Sequence, residues 1–342
     1  STELACISDA RLSDLLHNAK PLHSGIGGRS ALLRLDDASI FIKKIPLTDL
    51  ERQPEHLLST ANFFDLPLFY QYGVGSSGFG AWRELAAHIM TTNWALSGDC
   101  PNFPILYHWR TLPASKPEPI TTEQAESLER DVQYWENSPA IRNRLEAKHE
   151  ASAHVVLFLE HVPQTLYQWL GKQLNAVADT AKAALLFVDK ALKSTNDFIN
   201  ARGLVHFDAH FENILTDGKL IYFSDFGLAL SSNFDLTHTE NEFLNAQRTY
   251  DRCATIVNLL HCIITNLFGN DRWEMRLKDY VSGKLPKLAP SIDDLIKQYA
   301  PIALVMDEFY RKLQKESKLT PYPATHLENL LMNIDRKREV KE

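Results

Sequence analysis

Residues 206–227 constrain this chain more than any other stretch. His206-Phe207-Asp208-Ala209-His210-Phe211-Glu212-Asn213 is followed by Asp225-Phe226-Gly227, with Asp225 twelve residues beyond Asn213. Between them Asn213-Ile214-Leu215 reads as a short strand, Asp217-Gly218 as a hairpin turn and Leu220-Ile221-Tyr222-Phe223 as the returning strand. The stretch sets a carboxylate, an amide and a second carboxylate around one predicted hairpin. His-x-Asp or Asp-Phe-Gly alone is a common short string. Capping of local turns would explain either aspartate singly, but neither the hairpin nor the order of what lies upstream.

Three further pieces precede it. Gly25-Ile26-Gly27-Gly28-Arg29-Ser30 is glycine-rich and lies between predicted strands. Backbone amides approach phosphates closely only where side chains are absent, although an ordinary turn uses glycine as well. Ala31–Leu35, Asp36–Ser39 and Ile40–Ile45 read as strand, turn, strand, and the pleat sends Lys43 and Lys44 to opposite faces. Glu84 opens a helical pattern in which Leu85, Ile89, Met90 and Trp94 carry the apolar spacing. Val155 to Val162 then reads as a buried strand ending at Pro163.

In this order the pieces resemble the protein-kinase-like superfamily, whose catalytic loop reads H-x-D-x-x-x-x-N and whose metal loop reads D-F-G. Phosphoryl transfer needs a base near the attacking hydroxyl, oxygen ligands for Mg²⁺ and positive charge on the phosphates. The resemblance implies an α+β bilobal fold, with a small antiparallel-sheet N-lobe plus helix C, a larger, mainly helical C-lobe, and ATP and Mg²⁺ bound between the lobes. It implies Asp208 as base and Asn213 and Asp225 as metal ligands, on loops held side by side by the hairpin. Gly25, Gly27 and Gly28 would cover the phosphates, with Ser30 where the third glycine of the kinase pattern stands. Lys43, in Ile-Phe-Ile-Lys, would reach the α- and β-phosphates. Glu84 would be its partner; the gap between them is longer than usual, and a first-turn acid favoured by the helix dipole is the alternative. Leu159 would line the back of the adenine pocket, and Glu160 and Val162 would offer hinge backbone groups to the base. His206 is implied to be structural, bonding backbone beneath the metal loop, and Asp251 to bond the catalytic-loop backbone.

Two features depart from protein kinases. His210 follows the base by two positions, where kinases acting on serine or threonine usually carry lysine; antibiotic and homoserine kinases share D-x-H-x-x-N, which places His210 with the catalytic set. Asp251 lies only 26 positions beyond Asp225, with no Ala-Pro-Glu between them, so the peptide platform is shortened. Against this, Ser224-Asp225-Phe226-Gly227-Leu228-Ala229 is close to the protein-kinase form. The first reading is a serine/threonine protein kinase. The alternatives are a small-molecule kinase and a pseudokinase scaffold. The intact set of Lys43, Asp208, Asn213 and Asp225 speaks against the scaffold, and the altered glycine loop keeps it open.

The 342 residues are 44% hydrophobic and 23% charged, ordinary globular values, and suit one bilobal catalytic domain. Residues 1–160 are expected as the N-lobe, with insertions at about 46–80 and 113–153, and residues 161–342 as the helical C-lobe. The second insertion reads as a surface helical element starting near Thr121. Residues 181–201 read as a helix burying Leu185, Leu186, Val188, Leu192, Phe198 and Ile199. The net charge of −7 gives no sign of a nucleic-acid surface, and the basic run 336–338 reads as a solvated helix end. The four cysteines lack metal or redox spacing, which favours free thiols. No signal or spanning segment is read, so a cytoplasmic protein without membrane or nucleic-acid partners is expected.

Overall fold

The computed structural model describes residues 2–25, 28–35, 38–114, 120–269 and 272–339, the side chains of 23–25 and 338–339 excepted. It is α+β: among these residues, 12 α-helices accompany a five-stranded antiparallel sheet and shorter ladders. The chain clusters into two compact units, residues 1–162 with 225–241, and residues 163–224 with 242–342. Residues 225–241, counted with the helical half in the sequence reading, thus belong to the first unit.

The first unit opens with α1 (Thr2–Cys6) and α2 (Asp9–His17), followed by β1 (Lys20–Gly25), β2 (Gly28–Leu35) and β3 (Ala38–Leu47). Then come α3 (Ala81–Leu96), β4 (Leu106–Pro113), α4 (Thr122–Tyr134), α5 (Pro139–His149) and β5 (Ala153–Glu160). The sheet order is β1-β2-β3-β5-β4, every neighbour antiparallel. Strand alternation sorts its side chains. Ile45 and Leu47 of β3, with Val155, Leu157 and Leu159 of β5, pack on Ala81, Trp82 and Leu85 of α3. Ile40 and Ile42, with Val156 and Phe158, pack on Leu4, Leu12 and Leu16 of the two N-terminal helices. With both faces covered, residues 155–159 of β5 form an unbroken apolar run. The same period of two puts Lys43 on the α3 side and Lys44 on the other. The sequence reading assigned no helix ahead of the strands. The local signal is Ser8, whose side chain accepts the Arg11 N–H and caps α2.

The stretches expected as peripheral insertions share a core of their own. Leu66, Tyr70 and Phe79 pack against Trp135 and Ile141, with the Tyr70 and Trp135 rings edge to face at 4.7 Å. α4 starts where the sequence placed it, with Thr121 and Gln124 forming a capping box. α5 turns Ile141 and Arg144 inward. Its Arg144 is buried and bonds Glu51 Oε2 at 2.8 Å, and Glu51 Oε1 accepts the Ala81 N–H at 2.7 Å. The N-cap of α3 is Gly80, which has no side chain to offer, so Glu51 caps that helix from 30 residues upstream.

The second unit contains β6 (Gln164–Thr165), α6 (Leu166–Leu174), α7 (Ala178–Ala201), β7 (Leu204–Val205), β8 (Ile214–Thr216) and β9 (Ile221–Phe223). After β10 (Leu230–Ser231), in the first unit's segment, α8 (His238–Ala246) leads the chain back. α9 (Tyr250–Phe268), α10 (Trp273–Val281), α11 (Pro290–Lys315) and α12 (Ala324–Glu339) complete it. The β8–β9 hairpin forms as read, and β6 adds to its outer side. On α7 the buried face runs through Ala181, Ala184, Leu185, Val188, Leu192 and Ile199. Leu186, expected on that face, is 59% exposed, because it lies a full helical step around from Leu185; Phe198 is half-buried. α9 is apolar and buried around most of its circumference. Among the described residues, no single helix is long and apolar enough to cross a membrane. Cys6, Cys100, Cys253 and Cys262 are free thiols, and burial pushes those of Cys253 and Cys262 up to about 12.

Candidate active site

In the first unit the geometry centres on Lys43. Its ammonium lies 2.6 Å from Glu84 Oε1 and 2.6 Å from Asp225 Oδ1. The Lys43 and Glu84 side chains are 8% and 3% exposed, that of Asp225 40%. Burial works against the Lys43 charge, but Asp225 and Glu84 outweigh it and hold the ammonium above the ordinary lysine value. One cation between two carboxylates cannot fully compensate both. Burial, and then the nearby Asp225 charge, push Glu84 up to about 7 although Lys43 pulls it down. The length of the 46–80 segment between them in sequence does not prevent the Lys43–Glu84 pair.

A pH signature follows. The folded-state pKa of Glu84 is raised, so its stabilising contribution is fully present below about pH 4.5 and is lost as pH rises through about 7. Lys43, also raised, titrates well above this window. Relative to a Glu84→Gln variant, the wild-type protein is expected to lose on the order of 3 kcal/mol between pH 4.5 and 7.5. Urea denaturation of both proteins at the two pH values checks this. An unchanged difference would mean that Glu84 is ionised throughout.

Asp225 has φ +60°, in the left-handed region that aspartate tolerates, and its Oδ1 accepts the Gly227 N–H at 3.3 Å. Phe226 is fully buried, its ring edge to face with His88 at 5.0 Å. The face that α3 buries includes Arg83, Glu84, His88, Thr91 and Thr92. Ile89, expected inside, is 38% exposed, because polar groups serving Lys43 and the 225–241 segment hold the buried side. Lys148 of α5 shares this neighbourhood. It donates to the Ser77 carbonyl at 3.2 Å, and burial and Arg144 push its ammonium down to about 7 while Glu84 and Glu51 pull the other way.

The remaining first-unit positions are mixed. Gly25 pairs with Gly28 at the end of the β1–β2 ladder, and Gly27 lies outside the described residues. Gly28 has φ +143°, and a Cβ there would collide with the Lys44 carbonyl, so packing on β3 by itself requires glycine. Ser30 pairs with Lys43 across β2 and β3. Leu159 and Val162 are buried. The Glu160 N–H donates to the Ile105 carbonyl at 2.8 Å, and its carboxylate accepts the Ile105 N–H at 3.2 Å. The Glu160 N–H is therefore engaged with Ile105.

In the second unit Asp208 and Asn213 are joined directly. Asn213 Nδ2 donates to Asp208 Oδ2 at 3.0 Å and to the Asp208 carbonyl at 3.1 Å. His210 Nε2 is 3.8 Å from Asp208 Oδ2. The loop is braced from two sides. Asp251 accepts the N–H groups of His206 at 2.6 Å and Phe207 at 2.9 Å. His206 Nδ1 accepts the Asp208 N–H at 3.3 Å, which leaves its Nε2–H to donate to the Ser224 carbonyl at 2.9 Å. Ser224 in turn donates its N–H and hydroxyl to the Asn213 carbonyl at 3.0 and 2.6 Å, and Asp225 is the next residue in the chain. The Phe207 backbone, at φ +63°, is unfavourable for an aromatic residue by about 1–2 kcal/mol. The bond to Asp251 and the Tyr250 ring at 5.1 Å hold it there. Burial pushes Asp251 up to about 7, with the two N–H donors pulling it down.

Sequence reasoning missed Glu51, Arg83, His88, Arg144 and Lys148. All are buried or half-buried polar groups with at least one partner distant in sequence, and no local motif marks them. Among the described residues no group of three or more His, Cys, Asp or Glu side chains is arranged to hold a metal ion. No protein-family model matches this chain, and no curated protein matches it.

Proposed function

We infer that this protein is an ATP- and Mg²⁺-dependent phosphotransferase that delivers the γ-phosphoryl group of ATP to a hydroxyl. The observation that carries the reading is the buried Lys43–Glu84 pair with Asp225 on the same ammonium. A buried lysine clamped by two carboxylates is costly for mere stability and suits a site that receives phosphate charge. The Asp208–Asn213 unit supports it from the other motif.

The donor set fits Mg²⁺, which takes oxygen ligands and is usually bound by one or two protein groups plus waters and substrate phosphates. Asn213 commits its Nδ2 to Asp208, so its amide oxygen would be the atom to hold the cation, and Asp225 is partly exposed. When bound, the ion would neutralise charge on the phosphates. Lys43 would hold the α- and β-phosphates. Asp208 would accept the proton of the acceptor hydroxyl as its oxygen bonds to the γ-phosphorus. The bond to the β–γ bridging oxygen breaks, and ADP leaves with that electron pair.

The acceptor of first choice is a serine or threonine hydroxyl on a protein, from the Ser-Asp-Phe-Gly-Leu-Ala form of the metal loop. A small-molecule hydroxyl is the second reading, favoured by His210 beside Asp208. Incubation with γ-labelled ATP and lysate distinguishes the two. Label on the protein itself or on lysate proteins supports the first, and label confined to the small-molecule fraction supports the second. Nucleotide-dependent thermal stabilisation without transfer to anything would replace both with a scaffold.

A further inference from the structure

The segment 225–241 is knit to the rest of the first unit by interactions that no motif announces. Arg83 and Glu240 form an ion pair at 2.7 Å with both side chains 3% exposed. Arg83 Nε donates to the Thr60 carbonyl at 2.7 Å, and its guanidinium lies against the rings of Phe79 at 4.9 Å and Phe234 at 5.8 Å. Asp235 Oδ2 accepts the Ser59 hydroxyl at 2.9 Å and the Thr60 N–H at 3.1 Å, and the Asp235 N–H donates to Thr60 Oγ1 at 2.7 Å. Gln71 donates to the Leu228 carbonyl, and a Cβ on Gly78 would collide with the Gly227 carbonyl. Arg83 and Glu84 are consecutive on α3. One turns to this anchor and the other to Lys43, so one helix sets both ends of the segment.

The hydroxyls are accounted for too. Ser231 is fully buried. Thr237 donates its hydroxyl to Glu240 Oε2 at 3.0 Å and accepts the Glu240 N–H at 3.2 Å, a reciprocal cap. Ser232 and Thr239 are exposed and stand outside the anchor. A phosphate orders a segment by giving an arginine a new anionic partner. Here Glu240 already occupies that arginine, in a buried site.

We propose that Arg83 and Glu240 are positioning residues, forming a built-in clamp that holds the segment carrying Asp225 in place with no modification of its hydroxyls. The clamp rests on these contacts alone; its catalytic consequence rests on the reading of Asp225 as a metal ligand. Arg83→Met in the full chain is expected to lower turnover about tenfold or more, by misplacing Asp225. It is also expected to raise the Mg²⁺ concentration for half-maximal rate several-fold, which a general loss of stability would not do. Arg83→Lys should recover part of both. Amide hydrogen exchange should accelerate at 226–236 and stay unchanged across α11. Protein stripped by phosphatase, and a Ser232→Ala/Thr239→Ala variant, should turn over at the untreated wild-type rate. Turnover that appears only after preincubation with ATP, or Arg83→Met with wild-type rate and Mg²⁺ dependence, would overturn the proposal. If the wild-type protein transfers phosphate to nothing, the functional reading fails; the clamp then stands or falls on whether Arg83→Met accelerates exchange at 226–236.

Discussion

Asp208→Asn is expected to lower phosphoryl transfer by about 10²–10⁴-fold while leaving the fold and nucleotide binding in place. The side chain is 25% exposed, and its main bond is accepted from Asn213 Nδ2, which an amide oxygen at the same position still accepts. What the substitution removes is the capacity to take a proton from an attacking hydroxyl. The bracing by Asp251 and His206 acts on backbone and does not depend on the Asp208 carboxylate. Single-turnover rates with γ-labelled ATP, set beside urea midpoints, separate the two effects. A variant that retains most of the wild-type rate would remove Asp208 from the role of base.

Lys43→Met is expected to be the most destabilising single change near the site, by about 3–5 kcal/mol at pH 8. It withdraws the ammonium from two carboxylates, one of them buried, and leaves Glu84 charged without a partner. Because burial and Asp225 already push Glu84 up to about 7, the cost should shrink as pH falls and Glu84 takes up a proton. Lys43→Met/Glu84→Gln should regain most of the loss at pH 8, since a neutral amide carries a smaller burial penalty. Denaturant titrations of the single and double variants at pH 5 and pH 8 check this. A single variant within 1 kcal/mol of the wild type at pH 8, with the double variant no better, would mean that the pair is not a buried charge cluster.

The parts legible in the sequence were those whose signal is local. The hairpin of β8 and β9 follows from Asp217-Gly218 between apolar runs, and the opposite faces of Lys43 and Lys44 from the period of two along β3. Asp251 stands at the start of α9 and bonds the loop backbone, as the resemblance implied. Apolar spacing failed at Ile89 and Leu186, where it was read residue by residue; which face is buried is decided by what packs against it. The remaining supports were illegible because their partners lie far apart. Glu51 and Arg144 are separated by 93 residues, Arg83 and Glu240 by 157. A buried charge with so remote a partner looks, in sequence, like an ordinary surface residue. For the same reason the segments read as insertions gave no hint that they cap α3 and anchor residues 225–241.

Under the proposed function, Asn213 and Asp225 would each supply a ligand to a divalent cation on the phosphates of ATP. The most direct test is titration of Mn²⁺, followed by electron paramagnetic resonance, with a non-hydrolysable ATP analogue present. Asn213→Ala and Asp225→Asn are each expected to weaken Mn²⁺ uptake by about tenfold or more while the analogue still binds. Uptake unchanged from wild type in both variants would contradict the account.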